Sequence, residues 1–288
     1  MAVAIEADAQ LAREGPTLRR SVGLAQLTFY GLGGMLGAGI YGLIGEAAGQ
    51  MGSAIWLAFL VSMVAALLTG LSYASIGSRY PRAGGAAYVT HRAYGWPLLT
   101  YIVGLAVMCS GLTSIATQSR VAAENFGRLA GVEEAPVALL AVGFLVLLGG
   151  VVLRGIRECM WLNVLCTTVE ALGLVLVIGA GISYWGSADL LELPPAGEGG
   201  GVGGLGAVFV MQAAVLTFFS FIGFEDMLNV SEEVKRPERT VPLALILAML
   251  AATAIYMAIA ITAVSVVPWR ELAASPGPLA EVMARAAP

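Results

Sequence analysis

Long apolar runs alternate with short polar stretches along most of the chain. Seven runs reach the length of a membrane span, at about 24–48, 53–76, 97–123, 136–153, 160–184, 206–230 and 241–267, since crossing takes roughly 20 apolar residues at about 1.5 Å each. The pattern predicts an all-α integral membrane domain of seven helices over residues 24–267. A tail over 1–23 precedes it, and a tail over 268–288 follows it.

Two of the seven runs do not suit an unbroken helix. The first carries Gly31-Leu32-Gly33-Gly34-Met35-Leu36-Gly37-Ala38-Gly39-Ile40. Glycine weakens a helix interior by about 0.5–1 kcal/mol relative to alanine. Freed backbone groups in lipid cost several kcal/mol each unless something binds them. An interruption near Gly37–Gly39 with its backbone given over to a ligand reconciles the two. The sixth run contains Phe219-Ser220-Phe221-Ile222-Gly223-Phe224-Glu225-Asp226, a glycine and then two carboxylates where a plain span stays apolar. The discontinuous first and sixth helices lie five helices apart. That is the spacing of a five-plus-five inverted-repeat transporter fold, here incomplete: one full repeat and the first two helices of the second.

Composition agrees with the membrane reading. Hydrophobic residues make up 58% of the 288 and charged residues 12%, against about 25% charged in a soluble domain. Net charge of -4 gives no reason to expect a nucleic-acid partner. The polar first twenty residues do not read as a signal peptide. Arginine and lysine set the orientation. With the N-terminus cytoplasmic, the inner loops hold Arg13, Arg19, Arg20, Arg79, Arg82, Arg92, Arg154, Arg157, Lys235, Arg236 and Arg239, and the outside keeps Arg120, Arg128, Arg270 and Arg285. The tail 268–288 is then extracytoplasmic, the start of an outer loop, and the expected location is the plasma membrane.

Candidate chemistry is sparse. No Ser/His/Asp, Cys/His or metal-ligand cluster stands at a useful spacing, so no enzyme, cofactor or metal is expected. Cys109, Cys159 and Cys166 read as packing thiols, and His91 as a surface histidine. The glycine-rich outer loop 187–204 reads as a flexible connector, and Thr240 as a cap for the last span with Pro242 in its first turn. Glu170 lies near the middle of the fifth span, where a charge costs at least about 2.5–3.5 kcal/mol. It is the candidate for taking up and releasing a coupling proton, or else a protonated acid hydrogen-bonded to a neighbouring helix. Glu46 reads as an outer-vestibule residue, and Glu225 and Asp226 as an inner-gate pair that bonds freed N–H groups.

Three motifs together resemble the amino acid permeases of the amino acid–polyamine–organocation superfamily. They are Gly37-Ala38-Gly39-Ile40 followed by Gly45-Glu46-Ala47-Ala48-Gly49; Tyr80-Pro81-Arg82-Ala83-Gly84-Gly85 with Tyr88; and Phe221-Ile222-Gly223-Phe224-Glu225 running on to Glu232-Glu233-Val234-Lys235-Arg236-Pro237. The resemblance implies secondary active transport of an amino acid by alternating access, coupled to a proton or sodium. It implies a substrate site at Met35, Gly37, Ala38, Gly39, Ile40, Phe219, Ser220, Ile222 and Gly223. There the N–H groups of Ala38, Gly39 and Ile40 hold the carboxylate, Gly37 and Gly39 admit the ligand to the backbone, and the carbonyls of Met35, Phe219 and Ile222 accept the ammonium. Phe219 adds a cation–π contact. At the position of Glu170, related permeases often carry a lysine that stands in for sodium. Such permeases have about twelve spans, which implies a second polypeptide or further chain supplying helices. Two other readings remain beside transport of amino acids: a non-transporting sensor or partner subunit, and a polyamine or cation carrier.

Overall fold

The computed structural model describes residues 18–129, 131, 136–194, 207–275 and 277–287. Most of the N-terminal tail, Arg13 included, and the glycine-rich stretch 195–206 lie outside the described residues. Within them the regular secondary structure is helical apart from one isolated bridge. That follows from the composition, because a backbone in lipid must satisfy its own hydrogen bonds. The helices are α1 (Leu24–Met35), α2 (Ala38–Met51), α3 (Ile55–Arg79), α4 (Gly85–Tyr94), α5 (Pro97–Leu129), α6 (Val137–Arg154), α7 (Ile156–Gly181), α8 (Ala207–Phe218), α9 (Pro237–Val266), α10 (Trp269–Ala274) and α11 (Pro278–Ala286).

Six stretches among the described residues are long and apolar enough to cross a membrane, where the hydropathy pattern predicts seven. The missing one is the first run. It forms two half-helices, and α1 at 12 residues extends only about 18 Å. Its second half, α2, continues through the tight turn Gly52–Ala54 into α3. The break expected in residues 24–48 therefore costs that run its standing as a single span.

The core gathers around α9, which packs along α3, α1 and α7. Small residues permit the close approach: Gly70 lies under Leu245 and Met249, and Gly181 lies against Thr262 and Val266. α8 packs on α3, where Ser62 Oγ donates to the Ala214 carbonyl at 2.6 Å and lies 2.7 Å from Thr217 Oγ1. α5 and α6 pair with each other and turn side chains such as Val146 and Leu153 outward, 70% and 90% exposed. An apolar outer face of that kind suits lipid or further membrane helices.

Both ends of the bundle are tied. At the arginine-rich end, Val22 pairs in parallel with Val234. Val22 N–H donates to Glu233 O at 3.0 Å, and Lys235 N–H donates to Val22 O at 2.9 Å. Arg82 pairs with Glu232 at 3.1 Å, and Ala83 N–H reaches the other Glu232 oxygen at 3.2 Å. The last long span, α9, starts earlier than its sequence suggests. Pro237 takes its first turn and Thr240 Oγ1 donates to Lys235 O at 2.7 Å, so Thr240 is no N-cap and Pro242 sits inside the helix. Replacing Glu232 with alanine removes the acceptor for both partners, and a partly exposed pair of this kind is worth up to about 1 kcal/mol. A thermal-melting comparison is expected to show a small loss, and a loss of many degrees would contradict this ranking.

At the other end, residues 187–194 are anchored and are no loose connector. Trp56 Nε1 donates to Leu190 O at 3.0 Å, Ser53 N–H to Glu192 O at 3.0 Å, Trp269 Nε1 to Glu192 Oε1 at 3.1 Å, and Ser187 Oγ to Ser265 O at 2.7 Å. α10 then lies across α2, with Gly45 against the Leu272 carbonyl and Pro278. Arg285 bonds Glu271 and joins α11 to α10.

Candidate functional site

The first helix is interrupted at Leu36 and Gly37, between α1 and α2. Gly37 is the N-cap of α2 and offers no side-chain cap. The first N–H groups of a helix have no acceptor within it, so those of Ala38, Gly39 and Ile40 are left to another partner, with the positive end of the helix dipole behind them. A Cβ at Gly37 would meet nothing within 4 Å. Here the chain is open to a ligand that touches backbone.

The second interruption lies beyond α8. A short turn, Phe219–Phe221, gives way to extended Ile222 and then to Gly223 at φ +126°, after which Phe224–Leu228 forms another tight turn. Glu225 accepts the Gly223 N–H at 2.8 Å, and Asp226 accepts from Asn229 Nδ2 at 3.0 Å. Glu225 thus bonds a freed N–H group of the break itself. Glu46 is exposed on α2.

The two breaks are pressed together through glycine. Gly223 lies on the Gly34 backbone, and a Cβ on Gly34 would stand 3.1 Å from Gly223 O. Gly39 faces the other break and not open space: a Cβ there would stand 2.8 Å from Ser220 Cα. The expectation that Gly39 is small to admit the ligand is therefore corrected. It is small so that the two broken helices can meet, while Gly37 is the glycine with free room.

The carbonyls also differ from expectation. Phe219 O accepts the Ile222 N–H at 3.2 Å within the turn. The carbonyl brought toward the first break is that of Ser220. Tyr256 on α9 lies 2.5 Å from Met35 O and 2.7 Å from Ser220 O through its hydroxyl. One proton serves one carbonyl at a time, so this hydroxyl bridges the two freed backbones. Tyr256 is fully buried and packs its ring against Phe59 and Phe221, with centroids at 5.6 and 5.2 Å. The sequence reading missed it, because one tyrosine in an apolar span looks like core. The signal was its phenol, which must find a partner when buried.

The remaining site residues divide by exposure. Met35, Ile40 and Ser220 are buried, whereas Phe219 and Ile222 are 57% and 43% exposed. Ser220 Oγ is buried without a hydrogen-bond partner. Glu170 on α7 is partly buried. No cluster of metal-ligating side chains occurs among the described residues.

Comparison with known proteins gives the family of the chain. The profile of the amino acid permease family matches residues 22–288. Human cationic amino acid transporter 4 is 32% identical over 278 residues, covering 89% of this chain and 42% of the transporter. The branched-chain amino acid permease BcaP of Bacillus subtilis is 27% identical over 285 residues, covering 93% and 59%. The methylthioribose transporter of the same bacterium is 28% identical over 273 residues, covering 89% and 57%. The chain therefore spans about half the length of these relatives. With its apolar helices and two glycine-broken spans, it is a multi-pass membrane protein that belongs to the amino acid permease family.

Proposed function

We propose that this chain forms the substrate-binding part of a secondary active transporter for amino acids, working by alternating access in the plasma membrane with its N-terminus cytoplasmic, and not an enzyme. The observation that carries the reading is the meeting of two interrupted helices at Gly34/Gly223 and Gly39/Ser220, with the open N-terminus of α2 beside freed carbonyls. A zwitterion needs a negative-charge acceptor and a positive-charge acceptor in one dry place. Burying either charge unpaired is prohibitive. The N–H groups of Ala38, Gly39 and Ile40 meet the carboxylate. The carbonyl edge of Met35, Ser220 and Ile222 meets the ammonium, with the exposed Phe219 ring over it.

Coupling to a proton carried by Glu170 belongs to the same proposal. So does a source of further helices, as the rest of a longer chain or a second polypeptide, because the relatives are about twice as long. The apolar outer faces of α5 and α6 support that requirement.

The test has two stages. Purified chain in lipid nanodiscs is expected to bind at least one amino acid from a panel of twenty, read by a ligand-dependent rise in melting temperature. Proteoliposomes then separate transport from sensing: accumulation driven by an imposed proton gradient supports the transporter, and binding without accumulation supports a sensor or partner subunit. No binding across the panel would remove the site assignment.

A further inference from the structure

The corner between α4 and α5 carries a surface that the backbone site does not use. α4 folds back along the start of α5. Ala87 faces Gly104, where an added Cβ would stand 3.5 Å from the alanine methyl, and His91 Nδ1 lies 3.4 Å from Thr100 Oγ1. Gly95, at φ +61°, ends α4 with its N–H on the His91 carbonyl at 2.8 Å and turns the chain toward Pro97. Residues 91–98 are all exposed. One apolar span ends at Arg79 and the next begins at Pro97, so the corner stands at a membrane boundary.

The exposed side chains change in kind along this corner. Leu98, Tyr101, Ile102 and Leu105 recur at helical spacing on the first turns of α5 and are exposed. Trp96 and Tyr94 come next, at the turn, and are exposed as well. Beyond them stand Arg92, with its guanidinium 5.6 Å from the centre of the Tyr80 ring, and Arg79, exposed at the end of α3 beside that tyrosine. Apolar, then aromatic, then cationic is the order of surroundings met on leaving a bilayer. Charge along the segment is one-sided, because no Asp or Glu occurs between Glu46 and Glu124. The carboxylates that reach it from elsewhere meet its other end. Glu232 bonds Arg82 and the Ala83 N–H, and Asp226 accepts from Asn229, whose amide oxygen lies against Gly85.

We propose that this corner binds the headgroup of an anionic phospholipid. Arg79 and Arg92 meet the phosphate, and the Tyr80 ring fixes the plane of the Arg92 guanidinium. Tyr94 and Trp96 lie at the depth of the glycerol, and the acyl chains run along Leu98, Tyr101, Ile102 and Leu105. A lipid fits better than a soluble partner because the apolar stripe continues directly into a span, and the positive charge begins where the stripe ends. The headgroup holds the tip of α4, whose other end rests on Asn229 and through it on Asp226, in the turn after the second break. The bound lipid therefore steadies the bundle from its rim.

The test uses the full chain in nanodiscs of phosphatidylcholine alone and of phosphatidylcholine mixed with phosphatidylglycerol. Phosphatidylglycerol is expected to raise the melting temperature, and native mass spectrometry is expected to find it retained on the protein in preference to phosphatidylcholine. Arg79→Gln combined with Arg92→Gln is expected to weaken that retention by about tenfold or more and to remove the rise. Unchanged melting in phosphatidylcholine shows that this variant folds. Arg79→Gln alone, at an exposed position, is expected to weaken retention by about threefold or more, so the outcome does not hang on the double variant. Lys235→Gln combined with Arg239→Gln removes as much charge from exposed positions at the arginine-rich end and is expected to leave retention within about twofold. An equal loss in that control would overturn the site, since any positive surface would then serve. Equal retention of the two lipids would overturn it, as would retention that survives the loss of both arginines. Displacement of phosphatidylglycerol by inorganic phosphate would overturn it too and assign the corner to a soluble anion.

Discussion

Gly223→Ala is expected to abolish amino acid binding and to lower the melting temperature sharply. Gly223 has φ +126°, a region that side-chain-bearing residues adopt only at a cost of about 1–3 kcal/mol. The added methyl also points into the Gly34 backbone, which has no flexible tip to move aside. The two breaks must separate, and the Glu225 bond to Gly223 N–H loses its geometry with them. Gly37→Ala supplies the contrast. Its methyl enters open space, so the variant is expected to melt within a few degrees of wild type while binding falls, because the methyl occupies the place of the ligand. Thermal melting and ligand binding on both variants check the pair. Equal behaviour of the two would show that the contact between Gly34 and Gly223 does not organise the site.

Tyr256→Phe carries the second large effect. The ring and its packing on Phe59 and Phe221 survive, so the core keeps its volume. Two carbonyls in a dry interior lose their donor. An unsatisfied buried polar group costs about 1–3 kcal/mol, and the loss falls at the junction that holds the breaks in register. Stability is expected to drop by that amount and amino acid affinity by about tenfold or more. A variant with normal melting and normal affinity would show that Tyr256 is only a core residue.

The extent to which the sequence announced this site follows from where the physics is local. The break at Gly37 was legible because glycine spacing and the cost of freed backbone are both properties of one segment. The break at Gly223 was legible for the same reason, helped by the carboxylates just after it. What the glycines touch was not legible. Gly39 against Ser220 and Gly34 against Gly223 join residues nearly two hundred positions apart, and no periodicity encodes that meeting. Tyr256 escaped notice because a span seen alone does not say which oxygens its phenol will face. Residues 187–194 read as a loose connector because their glycine-rich continuation dominated, yet two tryptophans and Glu192 pin them down. The start of α9 shifted because Pro237 suits a first turn better than the more conspicuous Thr240.

The central claim is that the N–H groups at the start of α2 are free until an amino acid binds them. Hydrogen–deuterium exchange of the chain in nanodiscs, resolved over residues 36–41 and 219–224, addresses it most directly. Fast exchange at Ala38, Gly39 and Ile40 is predicted against slow exchange in α3 and α9, with clear protection once a bound amino acid is added. Slow exchange throughout residues 24–51 without ligand, as in a continuous helix, would contradict the account.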